Sequence, residues 1–287
     1  MPFREVAPDV KLYYEDFGEG PAVVFTAAGQ LTHKMWDSQV AALAGDYRAI
    51  AYDWRGTGAS DKPRTGYTPD QIASDLCALI ERLDVAPAVL VGHGLGAHVT
   101  LLAAIRRPEL ARGLVLASAA PWFGGDRDGV PAGLSQDFIE FLERANGLGD
   151  RQRMPYPQAC AELAENWLFH RPQGAAVQQA VLEQALTWPP AVINMIAANM
   201  AGIDHRERLP QIGCPTLIIQ GRHDRKQRYQ GAVYLAQRIP NAHLVTLENS
   251  AHMGQIEELN AFNNALQEFL ERADRTLDAA SVRVATA

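Results

Sequence analysis

The sequence predicts an α/β fold: a mostly parallel sheet with helices on both faces and an all-helical insertion before its last strands. Three observations carry this. Apolar runs at Ala22–Ala28, Arg48–Tyr52, Ala88–Val91 and Gly113–Ser118 alternate with longer segments of helical periodicity, the pattern of strands covered on both sides. From about Pro121 to Leu209 the strand signal stops and helix-like stretches follow one another. Beyond Leu209 the alternation resumes with Thr216–Gln220 and His243–Leu247.

In chain order, Val10–Phe17 (VKLYYEDF) alternates with period two and runs into a turn, Gly18-Glu19-Gly20-Pro21. A helix is expected over Met35–Ala44, and another from about Pro69 to Leu83, with Ile72, Leu76, Leu79, Ile80 and Leu83 on one face. Further helices are expected at about Gly94–Arg106, Gln230–Arg238 and Gln255–Ala273. The resulting division is a core of residues 1–120 and 210–273, a helical cap at 121–209, and a small, polar tail at 274–287 expected to fray.

Composition narrows the function classes. The 287 residues are 47% hydrophobic and 21% charged, which excludes a disordered or fibrous chain. Twenty-six Lys+Arg against 33 Asp+Glu give a net charge of −7, which argues against nucleic acid as the main partner. Cys77, Cys160 and Cys214 stand at unrelated spacings and read as reduced thiols. The start, MPFREVAPDV, has no apolar leader run, and no segment reaches the roughly 18 apolar residues of a membrane span. A cytoplasmic protein, monomer or homodimer, acting on a small molecule is expected, with no membrane contact.

The most informative segment is Val89-Leu90-Val91-Gly92-His93-Gly94-Leu95-Gly96-Ala97, which passes from an apolar strand through three alternating glycines into a helix. Gly92, Gly94 and Ala97 satisfy a dinucleotide-loop pattern, but the next strand ends Leu116-Ala117-Ser118 without the carboxylate a ribose needs, and several strands come first. The better reading is a nucleophile elbow, G-x-S-x-G, whose outer glycines let strand and helix approach through a very tight turn. Three further motifs accompany it: Asp53-Trp54-Arg55-Gly56-Thr57-Gly58-Ala59-Ser60, Cys214-Pro215-Thr216 leading to Gly221-Arg222-His223-Asp224, and Ser250-Ala251-His252. In these motifs and their order the chain resembles the α/β-hydrolase superfamily, in particular its cap-bearing esterases, carbon–carbon hydrolases and lactonases.

The resemblance implies an α/β-hydrolase fold with an eight-stranded sheet and a nucleophile, acid and histidine in that chain order. Carried over, the acid is Asp224, the base is His252, and the nucleophile position holds Gly94. The backbone N–H groups of Gly29 and Leu95 take the place of the oxyanion hole, and Ala27-Ala28 stand where the superfamily usually has His-Gly. Glycine offers nothing to attack a carbonyl, so the acyl-enzyme route is closed at that position. Ser118, Ser250 and Cys77 lie outside any elbow and read as structural. Gly94 is either natural, with the chemistry moved to the His–Asp pair, or a substitution made to trap a substrate. Glycine also relieves an apex that costs other residues about 1–3 kcal/mol.

Other residues divide between roles. His93 flanks the elbow and packs against neighbouring loops, near the substrate pocket; His98 lies one helical turn on. Gln30 and Thr32 lie beside the oxyanion loop, where Gln30 is a candidate substrate contact. Arg222, Arg225, Lys226 and Arg228 crowd Asp224, either as a solvated basic loop or to keep Asp224 ionised or attract an anionic substrate. Trp122, Phe123, Phe138, Phe141, Trp167, Phe169, Trp188, Met195 and Met200 supply the cap's apolar faces, with Trp122, Phe123 and Trp167 expected to face the pocket. Eight histidines without H-E-x-x-H give no metal site, and no cofactor is expected. The expected function is an enzyme on a small, mostly apolar carbonyl compound, by ester, lactone or carbon–carbon hydrolysis or by proton abstraction at the His–Asp dyad. The alternatives are a serine esterase carried as a Ser-to-Gly variant and a non-catalytic ligand receptor.

Overall fold

The computed structural model describes residues 2–147, 153–200 and 202–285, with side chains through residue 275. Strands β1 (Phe3–Ala7) and β2 (Val10–Phe17) form an antiparallel pair. Then come β3 (Ala22–Thr26), a 3-10 turn at His33–Trp36 that opens α1 (Asp37–Leu43), β4 (Arg48–Tyr52) and α2 (Pro69–Arg82). Next are β5 (Ala88–His93), α3 (Leu95–Arg106) and β6 (Ala111–Ala117). Four helices fill the insertion: α4 (Gln136–Asn146), α5 (Tyr156–Asn166), α6 (Ala175–Leu186) and α7 (Pro190–Met200). The chain ends with β7 (Thr216–Gly221), α8 (Tyr229–Arg238), β8 (Ala242–Leu247), α9 (Gly254–Glu257) and α10 (Leu259–Ala285).

The eight strands lie in the order β1-β2-β4-β3-β5-β6-β7-β8. β2 runs antiparallel to both neighbours, and every pairing from β4 to β8 is parallel. Every residue of β3, β5, β6 and β7 is buried, which is why their sequences are unbroken apolar runs. One core cluster joins the sheet to α2 and α3 through Ile72, Leu76, Leu79 and Leu101, and another joins the opposite face to Trp36, Phe262 and Leu266. Thr68 caps α2 by accepting from the Gln71 N–H, with Pro69 in the first helical turn.

Two elements differ from the sequence reading. β1 carried no strand signal because it is an edge strand: of FREVA only Val6 is buried. The last helix, expected to stop near Ala273, continues as helix through Ala285, and Thr286 and Ala287 lie outside the described residues. The segment has no glycine or proline to end a helix, and Asp274 anchors it by accepting from the Tyr47 hydroxyl at 2.9 Å and pairing with Arg112. No helix among the described residues is long and apolar enough to cross a membrane.

The Asp53–Ser60 motif proves to be scaffolding under the site. Asp53 Oδ1 accepts the His33 N–H at 2.9 Å and contacts His33 Nδ1 at 2.8 Å, and Oδ2 accepts the Ala59 N–H at 2.9 Å. Arg55 forms a buried ion pair with Asp75 on α2.

Candidate active site

The elbow sits between β5 and α3, near the middle of the sheet. Gly92 and Gly96 allow the tight passage: a Cβ on Gly96 would stand 2.2 Å from the Ala27 carbonyl oxygen, and one on Gly92 2.3 Å from Thr100 Oγ1. Gly94 forms the apex at φ 55°, ψ −117°, a conformation that strains any residue with a Cβ. Its N–H donates to the Ala117 carbonyl at 2.9 Å, which fixes the apex to β6. A Cβ on Gly94 would point at His252, 3.2 Å from Nε2 and 3.4 Å from Cε1.

His252 comes from the loop after β8. Ala251 N–H donates to Glu257 at 2.7 Å, and the Ser250 hydroxyl donates to Glu258, so the start of the final helical segment braces the loop. The His252 carbonyl accepts from Ser118 Oγ at 2.8 Å and from His93 Nε2 at 2.7 Å. The His93 and His252 rings meet edge to face with centroids 4.7 Å apart. His93 is thereby a support beneath the His252 ring, and burial followed by the nearby His252 holds its pKa well below the ordinary value.

Asp224 lies in the loop after β7 and is buried. Its Oδ2 meets His252 Nδ1 at 2.8 Å and accepts from Gln220 Nε2 at 3.1 Å. Its Oδ1 accepts the N–H groups of Lys226 at 2.8 Å and Gln227 at 3.0 Å. Burial opposes the charge of this carboxyl, but the His252 ring and the two N–H groups outweigh it and hold the pKa below the usual carboxylate range. His252 is itself lowered, by burial and by Lys226 against the opposing pull of Asp224. The imidazole is therefore neutral at neutral pH. Asp224 takes the Nδ1–H and leaves the Nε2 lone pair facing the elbow.

A cavity of about 100 Å³ opens above these groups, on the scale of a space that takes one aromatic ring. Its floor includes Gly29, Gln30, Leu95 and His252, and the cap supplies Phe138, Phe141, Tyr156 and Trp188. The Leu95 N–H belongs to the first turn of α3, whose donors have no partner within the helix itself. The two segments of the expected oxyanion hole touch, since a Cβ on Gly29 would meet Leu95 Cδ2 at 3.1 Å. Trp188 Nε1 donates to the Leu31 carbonyl at 3.0 Å, and Thr32 donates to Gln184, so α6 and the segment after it hold the oxyanion loop. Gln30 has φ 63°, in the left-handed region, at the bend of that loop.

The structure thus brings Gly94, His252, Asp224, Gly29, Leu95, Gln30 and Phe123 to one place. Three residues expected to face the pocket lie outside its lining. Trp122 is buried behind it, with Nε1 donating to the Gly125 carbonyl at 2.6 Å and Arg206 over its ring. Trp167 packs behind Phe138, centroids 5.0 Å apart. His93 lies under His252, as described above. Among residues weighed for other roles, Ser118 and Ser250 hold the His252 loop, Cys77 is buried on α2, and His98 pairs with His205 at 3.2 Å.

Several lining residues were not singled out as pocket residues by the sequence, among them Phe138, Phe141, Tyr156 and Arg153. The first two were legible as an aromatic pair at helical spacing on α4. Lys226 was legible as one of four basic residues around Asp224 that could attract an anionic substrate, without a sign of which of the four faces the cavity.

Comparison with known proteins places this geometry in context. A sequence profile of the alpha/beta hydrolase family matches residues 23–265. The AB hydrolase superfamily protein YisY of Bacillus subtilis is 30% identical over 264 residues, covering 91% of this chain and 95% of that protein. The 3-oxoadipate enol-lactonase 2 of Acinetobacter baylyi is 27% identical, covering 93% of this chain and 95% of its own length. Among solved structures, an esterase from Exiguobacterium antarcticum superimposes with a TM-score of 0.85 at 27% identity, over 94% of this chain and 98% of that one.

Proposed function

This chain belongs to the alpha/beta hydrolase family, and on that premise we propose that it hydrolyses a small, mostly apolar ester or lactone without a side-chain nucleophile. His252 is the general base, Asp224 orients it, and water is the attacking group. The observation that carries the reading is the aim of His252 Nε2 at the Gly94 apex, 3.2 Å from where a Cβ would stand, while Nδ1 is held by Asp224 at 2.8 Å.

The steps balance without a covalent intermediate. A water above Gly94 attacks the substrate carbonyl carbon while Nε2 takes its proton. The negative charge moves to the carbonyl oxygen, facing the N–H groups of Gly29 and Leu95. Asp224 stabilises the imidazolium, whose proton then passes to the departing alkoxide as the carbon–oxygen bond breaks. The products are a carboxylic acid and an alcohol, or a hydroxy acid from a lactone. The similarity to an enol-lactonase and to an esterase supports this bond class.

The test is hydrolysis of a panel of short aryl esters and small lactones by the protein and by His252→Ala. Loss of turnover by about 100-fold or more in the variant is expected. Equal rates in the two proteins would remove His252 from the chemistry.

A further inference from the structure

Four basic residues surround Asp224, and three of them are engaged elsewhere. Arg222 pairs with Glu248 at 2.8 Å and lies over the Tyr229 ring. Arg225 lies over Trp167, its guanidinium 5.1 Å from the ring centroid. Arg228 pairs with Asp126 and donates to the Gly133 carbonyl at 3.3 Å. Lys226 alone of the four lines the cavity.

The backbone places it there. Its N–H is bound to Asp224 Oδ1, which fixes the start of the side chain beside the acid, and Nζ ends 4.9 Å from the Phe138 ring centroid. Among the described residues that ammonium has no carboxylate or hydrogen-bond partner. Asp224, the nearest acid, is already saturated by His252, Gln220 and two backbone N–H groups. Among the described residues the cavity lining contains no Asp or Glu; besides His252, its ionisable charges there are Lys226 and Arg153. Lys226 is half-buried, and an ammonium partly withdrawn from water without a counter-charge is disfavoured, so burial draws its pKa down to about 8. A cation over an aromatic face recovers only part of that cost. An anion in the cavity would recover much more.

From the placement of Lys226 in a cavity whose described lining holds cations and no carboxylate, we infer that the substrate carries a carboxylate and that Lys226 is the residue that binds it. The substrate class becomes a small ester or lactone that is also an organic acid. As a statement about substrate this rests on the hydrolytic reading above; as a statement about binding it stands apart from it.

The test is calorimetric titration at pH 7 with phenylacetate and its neutral counterpart phenylacetamide, one ring each to suit the cavity. The protein is expected to bind phenylacetate about tenfold more tightly or better, the worth of one charge-assisted contact. Lys226→Met should erase that preference while still binding the amide, which shows that the cavity is intact. Lys226→Arg should keep it. If Lys226→Met does not fold, Lys226→Gln serves the same comparison. Equal binding of acid and amide by the unaltered protein overturns the inference. So does a preference that survives Lys226→Met and disappears in Arg153→Ala. Turnover by His252→Ala is read separately, so an anion preference with no His252-dependent hydrolysis would sink the hydrolytic reading and leave the binding site standing.

Discussion

His252 turns Nε2 directly at Gly94: a Cβ on that glycine would stand 3.2 Å from the nitrogen, inside ordinary contact distance. The imidazole therefore reaches slightly into the room a side chain at the apex would need. That crowding, with the left-handed φ of 55°, makes the position more comfortable for glycine than for serine.

Gly94→Ser is accordingly expected to act in two ways. It should lower stability by about 1–3 kcal/mol through backbone strain and displacement of the imidazole, seen as a lower melting temperature. It should also place a hydroxyl beside the base, giving burst-phase release from an aryl ester and a one-to-one mass adduct with an organophosphonate. The unaltered protein should show neither burst nor adduct.

Asp224→Asn keeps the size of the side chain and removes the charge that selects the Nδ1–H tautomer. Ester hydrolysis should fall by about 10³–10⁴-fold with the fold retained, as checked by circular dichroism. A loss of less than about tenfold would mean that Asp224 does not orient the base.

The pH dependence follows from the same pair. On the proposed mechanism His252 acts when neutral, and its pKa lies below 6.5, so the rate should rise with pH below that value and level off by neutrality. Stability should change in the same direction. The unfolded chain binds more protons at both His252 and Asp224, whose folded pKa values lie below their ordinary values of 6.5 and 3.8. The His252 contribution to stability is lost as pH falls from 6.5 through the folded pKa, and that of Asp224 as pH falls from 3.8 through its own. Denaturant titrations between pH 3 and pH 7 would check the sign.

Lys226→Met should stabilise the protein at pH 7. The ammonium is disfavoured on folding, since its pKa drops from 10.5 to about 8, and methionine removes that penalty while keeping the chain length. A rise in melting temperature of at least about 2 °C is expected. A fall would show that Lys226 contributes net stability where it sits.

Much of the fold and of the candidate site was legible because the signals are local. Buried parallel strands write themselves as apolar runs, and the elbow, acid and histidine each follow a strand end. What escaped depended on tertiary direction. Trp122 and Phe123 are neighbours, but Trp122 makes an extended bridge to Asp204, where successive side chains point opposite ways, so only Phe123 lines the cavity. Trp167 was displaced from the lining by Phe138 and Phe141, whose packing on α4 no linear pattern reveals. Lys226 could not be told from three arginines around it until each partner was placed. The supporting role of Ser118 and His93, both bound to the His252 carbonyl, joins residues more than a hundred positions apart in sequence.

The most direct measurement is intact mass taken during turnover of 4-nitrophenyl acetate, paired with the rate of product release. Steady release without a burst, no acetyl mass on the protein and loss of turnover in His252→Ala are expected of water attack assisted by His252 and Asp224. An acetylated protein that forms and decays at the turnover rate, or undiminished turnover in His252→Ala, would contradict it.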